Sequence, residues 1–485
     1  MRNPNPLEFT TDLAVAVGDY YEYSMAHANQ QEKIAGRQAI FDLVVRRMPA
    51  NKVVGEFERE GVKYDERVKR DFLINAGLEQ IAAYFLEARG NTELKTYLQE
   101  AQGITDPEFL DWVEQLRFTG DVYGMPEGTI FFAQEHQLRV HERFEEAQVF
   151  ESVILNTINP QTNVASTAND IAEVTNKIIL EGGSRRAGSP QSALFNSRAA
   201  RIGGFTASSN VAFGMEYQEK VGGTHGHSYV MLHPDEYSAF KAQTNTLRDK
   251  VCFLLDTYNL QKAFETALSI VEEENLEHCA FRIDSGNLLQ QAHWIHQQMK
   301  DRGYGRERYT LIASDDLTAG KIARLEREEA DIDKYLLGTF VVNPPKPVEG
   351  VYKLAAFYDD KEELILRGKL SESREKSTLP GIKQVYRITG TDGFYKRDVI
   401  AFEGEDISKY LNEGDTAEGL LVPIIIKGEQ VYDFPTIAEI SERRKEQLAK
   451  LRDATQYKVI VSEGVQQAQD MIREDYGFAT RTIFS

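Results

Sequence analysis

The sequence predicts an α/β fold whose second half is a parallel barrel, and three observations predict it. Short apolar runs recur: Phe253-Leu254-Leu255, Ala280-Phe281-Arg282-Ile283, Tyr309-Thr310-Leu311-Ile312-Ala313 and Tyr335-Leu336-Leu337. Each ends in a polar group, respectively Asp256-Thr257-Tyr258, Asp284-Ser285-Gly286, Ser314-Asp315-Asp316 and Gly338-Thr339. The spacings from Asp256 through Asp284 and Asp315 to Thr339 are roughly 28, 31 and 24 residues, about one strand-plus-helix unit each. A parallel barrel gathers the carboxyl ends of its strands on one face, where sites are built. Carboxylates and hydroxyls there suit a poly-hydroxylated substrate. Gly338-Thr339 is a small-residue turn of the kind that lets backbone N–H groups approach a phosphate.

The other elements follow in chain order. At 485 residues the chain is too long for one core. Residues 1–140 mix helix and strand patterns and are expected to form an N-terminal α+β domain. Within it, Asp12 to Met25 and residues 70–100 read as helices. Phe118 to Val140 reads as strands, with turn residues at Tyr123-Gly124-Met125-Pro126-Glu127-Gly128-Thr129. Apolar residues at helical spacing predict a long helix from about Ala147 to Ala168. The barrel domain is expected over 141–350. Asn343-Pro344-Pro345-Lys346-Pro347 breaks it, because proline cannot continue a helix or a central strand. Strands at Val351 to Ala355 and Leu420 to Ile426, within 351–430, are expected to complete the N-terminal domain. Residues 431–485 read as a C-terminal helical segment, with a Glu/Arg/Lys-rich surface helix at 436–455.

A net charge of -20 argues against a general nucleic-acid binder. It leaves room for a local basic site that takes an anionic substrate. No apolar stretch approaches membrane-spanning length, and the N-terminus lacks the apolar run of a signal peptide. Cys252 and Cys279 both begin apolar runs and read as buried thiols, which suits a reducing compartment. No Cys/His cluster has zinc spacing. A soluble, cytoplasmic protein is expected, with neither nucleic acid nor membrane as partner.

The segment Gly222-Gly223-Thr224-His225-Gly226-His227-Ser228 sets two histidines in a glycine-rich stretch. A tight turn holding a hydrogen-bonded histidine accounts for it as well as catalysis does. Its context adds more. Gly183-Ser184-Arg185-Arg186-Ala187 precedes it, and Gly203-Gly204-Phe205-Thr206-Ala207-Ser208-Ser209-Asn210-Val211 lies between. Upstream stand Gly18-Asp19-Tyr20-Tyr21, Phe41 through Arg46 to Pro49, Pro126-Glu127-Gly128-Thr129 and Leu155-Asn156-Thr157-Ile158. Downstream stand Tyr352-Lys353-Leu354, then Lys369, Ser371, Lys376, Pro380-Gly381-Ile382-Lys383 and Arg387. In this joint order the motifs resemble the nicotinate phosphoribosyltransferase family over most of the chain.

The resemblance implies an irregular TIM-like α/β barrel with a smaller N-terminal α+β domain, commonly a homodimer with shared active sites. It implies transfer of phosphoribosyl from phosphoribosyl pyrophosphate to nicotinate, as the entry step of NAD salvage. ATP is the implied co-substrate, hydrolysed through a phosphorylated histidine, with Mg2+ as cofactor. His227 aligns with the phosphorylated position, and His225 is the competing choice. Asp284 is implied at the ribose hydroxyls and the magnesium. Ser314, Gly338 and Thr339 are implied at the 5′-phosphate, and Arg46, Lys369 and Lys376 at the pyrophosphate. Arg185 would take the nicotinate carboxylate, which a guanidinium fork matches in two hydrogen bonds. Tyr21 would stack on the pyridine ring from the partner subunit. Plainer readings stand beside these. Arg185 and Arg186 could end a helix or pair with Glu181, Lys369 and Lys376 could be solvated charges, and Asp19 is expected to cap a helix.

Two positions depart from the family pattern. Gly182 stands where an aromatic residue is common, so one wall of the ring site is expected from elsewhere, for example from Phe205. Asn287 stands where an aspartate is common, as it does in nicotinamide-using relatives. Ser209 falls at the place where those relatives carry an acid, and a serine there does not repel a carboxylate. Nicotinamide phosphoribosyl transfer and a catalytically silent nucleotide-binding homologue remain the alternatives.

Overall fold

The structure is a computed structural model that describes residues 15–59, 62–371 and 376–477. It divides into two compact units. One comprises residues 1–49, 70–163 and 347–485, and the other residues 50–69 and 164–346.

The second unit carries the strand–helix rhythm. Six strands form one sheet in the order Cys252–Leu254, Cys279–Ile283, Tyr309–Ala313, Lys334–Leu337, Ile178–Glu181, Ala207–Ser208. Every neighbouring pair is parallel. The helices Leu260–Glu273, Leu288–Asp301 and Ala319–Arg327 follow the strands in alternation. Helix Leu260–Glu273 buries Ala263, Phe264, Ala267, Leu268, Ile270 and Val271, one apolar stripe at 3.6-residue spacing. Each of the three starts on a capping side chain, Asn259, Asn287 or Thr318, which accepts a backbone N–H of the first turn. Register then places the polar strand ends. Ile283 pairs with Ala313, so Asp284 and Ser314 emerge side by side. Leu337 pairs with Glu181, so Gly338 and Gly182 emerge side by side. Cys252 and Cys279 are buried free thiols on neighbouring strands, and burial pushes both up to about 12.

The first unit is mainly antiparallel. Seven strands run in the order Leu364–Leu366, Gly350–Tyr358, Gln38–Val45, His136–Arg143, Asp121–Gly124, Val422–Ile426, Glu429–Gln430. Strand 38–45 thus pairs on one side with 136–143 and on the other with the later strand 350–358. Phe41 stacks on Tyr352 at 4.9 Å across this pairing. A second sheet orders Thr416–Gly419, Lys383–Thr389, Tyr395–Phe402 and Lys458–Val461. The tail contributes the helices Ile437–Lys450 and Glu463–Asp475, and between them a strand that pairs parallel to Tyr395–Phe402. The helix expected from about 147 to 168 is Glu151–Ala172, and it takes Pro160 in its interior. The helix expected at Asp12 to Met25 is Tyr20–Gln31, and residues 12–14 lie outside the described residues. Asp19 occupies the N-cap position, yet its side chain makes no capping bond. Among the described residues no helix is long and apolar enough to cross a membrane.

Candidate active site

The carboxyl edge of the parallel sheet opens into a cleft of about 250 Å³. Arg185, Arg186, Arg282, Asp284, Ser314 and Thr339 are among the residues that line it. The structure therefore brings together Arg185, Asp284, Ser314, Gly338 and Thr339, which the sequence analysis singled out separately.

Arg282 organises this edge. Its Nε donates to Ser314 Oγ at 2.8 Å, and one Nη to Thr224 Oγ1 at 2.8 Å and the His225 carbonyl at 3.3 Å. The other Nη lies 2.8 Å from Asp284 Oδ1. Burial works to raise the Asp284 carboxyl, but hydrogen bonds from Ser314 and Arg282 and the Arg282 charge outweigh it. The carboxyl is held below the usual range and is ionised at neutral pH. In the sequence Arg282 lies inside an apolar run. Only its place two residues before Asp284, on the same face of the strand, hints at the site.

The two histidines differ in exposure. His225 is buried, and desolvation pushes its imidazole down to about 4, so it is neutral. His227 begins the helix His227–Leu232, and its side chain is 41% exposed. Its Nδ1 lies 3.2 Å from Thr257 Oγ1 and its Nε2 3.4 Å from Asp284 Oδ2. Asp256 stands beside them. Its Oδ2 accepts from Ser285 Oγ at 2.5 Å, while its Oδ1 is buried without a hydrogen-bond donor. One ligand atom each from His227, Asp256 and Asp284 lie within 4.8 Å of one another. An unpaired carboxylate oxygen next to a second carboxylate fits a hard divalent cation.

The remaining residues separate functional from structural duties. Glu181 is fully buried and accepts from Ser197 Oγ at 2.8 Å, Ser208 Oγ at 2.6 Å and the Gly183 N–H. Arg185 does not pair with it. Arg185 is exposed, and its Nη1 donates to the Gly182 carbonyl at 3.4 Å. Ser209 is half-buried, its N–H donating to the Glu181 carbonyl at 2.8 Å. Ser314 is buried, its hydroxyl already engaged by Arg282. Asp315 lines the cleft with a φ of 121°, a conformation that costs a non-glycine residue about 1–3 kcal/mol. Phe205 is fully buried and cannot form a wall of an open ring site, which corrects that expectation. Asn287 Oδ1 accepts from the Gln290 N–H at 3.1 Å, so this departure from the family pattern works as a helix cap.

Tyr21, Arg46, Lys369 and Lys376 lie in the first unit. Tyr21 is exposed, and its hydroxyl donates to Glu151 Oε2 at 3.0 Å, while Lys353 Nζ holds Glu151 Oε1 at 2.9 Å. Arg46 Nη1 donates to the Lys376 carbonyl at 2.8 Å, which joins two of the residues assigned to pyrophosphate. Lys369 and Lys376 are exposed on either side of a segment outside the described residues.

A parallel α/β sheet with arginines, a carboxylate pair and a histidine at its carboxyl edge defines an α/β protein with a polar, small-molecule-sized cleft at that edge. Residues 17–159 match the family model described as the nicotinate phosphoribosyltransferase N-terminal domain, and residues 408–469 match the model of its C-terminal domain. The nicotinate phosphoribosyltransferase of Bacillus subtilis (strain 168) is 32% identical over 456 residues, which is 89% of this chain and 88% of the relative. One from Mycobacterium tuberculosis is 28% identical over 439 residues, 89% of this chain and 86% of the relative. The chain belongs to the nicotinate phosphoribosyltransferase family. Its fold is shared with human nicotinic acid phosphoribosyltransferase, at a TM-score of 0.76 and 22% identity over 94% of this chain and 99% of the other.

Proposed function

We propose that this protein joins nicotinate to phosphoribosyl pyrophosphate, with coupled ATP hydrolysis, to give nicotinate mononucleotide and pyrophosphate in NAD salvage. The observation that carries the reading is the convergence of Arg185, Asp284, Ser314, Gly338 and Thr339 on one cleft, with His227 set against Asp284. The bond from ribose C1 to the pyrophosphate oxygen breaks, and the pyridine nitrogen supplies the electron pair for the new C1–N bond. Pyrophosphate leaves with its electron pair. Such a transfer needs positioning and charge stabilisation more than a strong nucleophile.

Arg185 holds the nicotinate carboxylate, and the half-buried Ser209 presents no charge to repel it. The ionised Asp284 orients the ribose hydroxyls and stabilises positive charge at C1. Gly338 and Thr339 receive the 5′-phosphate, and the buried Ser314, expected to share that contact, instead braces the edge through Arg282. His227 accepts the phosphoryl group of ATP, with ADP leaving, because it is exposed where His225 is buried. Asp284 and Asp256 would hold Mg2+, which neutralises charge on the pyrophosphate when bound.

Two copies form the working unit, with the pyrophosphate contacted by Arg46, Lys369 and Lys376 of a second copy and the ring by its Tyr21. Exposed Met215, Met231 and Leu232 in the second unit, at 71%, 64% and 82%, support such pairing. The buried free thiols suit a cytoplasmic setting.

The test is product formation from phosphoribosyl pyrophosphate with nicotinate, nicotinamide or quinolinate, with and without ATP and Mg2+. Nicotinate mononucleotide formed from nicotinate alone, and faster with ATP, is expected. Equal use of nicotinamide would refute the reading of Ser209, and no turnover with any base would leave a nucleotide-binding protein.

A further inference from the structure

We infer that Leu336 is the apolar wall against which the aromatic ring of the base lies, and that residue 182 is glycine to make room for it. This rests on the proposed function and assigns the ring-binding surface of that same site.

The cleft is strongly polar, lined by three arginines, three aspartates, serine and threonine. Its apolar lining comes from Leu336 and Leu337. Leu337 is 1% exposed and belongs to the core. Leu336 is half-exposed, because side chains alternate along the strand Lys334–Leu337 while Tyr335 and Leu337 are buried. Leu336 is therefore the apolar side chain that the cleft offers to a ligand. Leu180 is its register partner on the adjacent parallel strand and is also half-exposed, so it stands on the same face of the sheet.

Gly182 sits against this leucine. A Cβ at 182 would fall 2.8 Å from Leu336 Cδ1 and 3.4 Å from Cγ, closer than carbon atoms pack. A side chain at 182 would require Leu336 to move from its present place. The Gly182 N–H donates to the Leu337 carbonyl at 2.6 Å, which fixes the loop on the leucine strand. The Gly182 carbonyl accepts from Arg185 at 3.4 Å. One residue thus touches both the guanidinium and the apolar wall, a pairing that recognises a planar aromatic carboxylate by charge at one end and by dispersion at its face.

The experiment measures KM for nicotinate and for phosphoribosyl pyrophosphate, with kcat and thermal midpoint, in wild type and variants. Leu336→Ala should raise KM for nicotinate about tenfold, from the loss of one half-buried aliphatic contact, and leave KM for phosphoribosyl pyrophosphate within twofold. Leu336→Gln keeps the volume and should lose nicotinate affinity similarly, so the test stands if the alanine variant folds poorly. The double variant Gly182→Phe/Leu336→Ala refills the space from the other side and should recover most of the lost affinity. Nicotinate KM within twofold of wild type in both single variants would overturn the inference and leave the reaction standing. A wild type that turns over no nicotinate would instead overturn the proposed function.

Discussion

Arg282 and Asp284 lie on one face of the same strand end, with Nη2 and Oδ1 2.8 Å apart, and the same guanidinium reaches Ser314 and Thr224. One buried cation thus fixes Asp284, Ser314 and the loop that carries His227. Arg282→Lys keeps the charge but cannot make the four contacts, since an ammonium lacks the planar fork. We expect kcat/KM for phosphoribosyl pyrophosphate to fall about 100-fold or more, which is about 3 kcal/mol of transition-state stabilisation. Steady-state kinetics on a variant with a wild-type circular dichroism spectrum checks this. A loss below fivefold would show that Arg282 does not organise the site.

His227→Ala should abolish ATP hydrolysis and its coupling while some uncoupled transfer persists. His225→Ala should cost stability instead, because that ring is buried against Tyr229 and Phe240. Radiolabel from γ-labelled ATP, trapped on protein and mapped by proteolysis, separates the two histidines. Label retained in the His227 variant would transfer the role to another residue.

Much of this arrangement could be read from the sequence, for a physical reason. The apolar runs had to become strands and the polar ends had to meet, because parallel strands share one carboxyl edge. Periodicity alone said nothing of Arg282, which sits inside an apolar run and is held there by four hydrogen-bonding contacts. Nor could it tell a cap from a ligand at Asn287, a distinction that depends on where the helix begins. The exclusion of Phe205 is a packing fact, and the pairing of Gly182 with Leu336 is set by register between strands more than 150 residues apart in sequence.

Because Asn287 caps the helix Leu288–Asp301, its replacement separates stability from chemistry. Asn287→Ala should lose about 1 kcal/mol in urea unfolding. Asn287→Asp should keep the cap, since aspartate accepts the same bond. Both should leave preference for nicotinate over nicotinamide unchanged. A switch in base preference in either variant would give Asn287 a direct part in recognition.

The unpaired oxygen of Asp256 gives a metal-dependence test. Asp256→Asn removes one negative charge next to Asp284 while keeping its shape. The Mg2+ concentration for half-maximal rate should rise about tenfold or more, with the saturated rate affected less. Titration with Mg2+ at fixed phosphoribosyl pyrophosphate reads this out. An unchanged Mg2+ requirement would show that the cation is held without Asp256.

The fold itself should carry a pH signature at Glu22. This carboxyl is fully buried and accepts from Ser152 Oγ at 2.8 Å, and its other oxygen has no donor. Burial first, with the Glu151 charge adding to it, pushes Glu22 up to about 7 from the ordinary 4.5. A raised folded-state pKa means that folding binds a proton between those two values. The contribution of Glu22 is therefore fully present below about pH 4.5 and is lost as pH rises through about 7. Glu22→Gln stays neutral at every pH and can still accept from Ser152. Relative to wild type, the variant should gain stability on going from pH 5 to pH 8, on the order of 2–3 kcal/mol, and the gap should level off above that. Urea unfolding of both proteins at several pH values measures the difference, in which other titrating groups cancel. A gap between variant and wild type that does not change from pH 5 to pH 8 would mean that Glu22 is ionised in the folded protein.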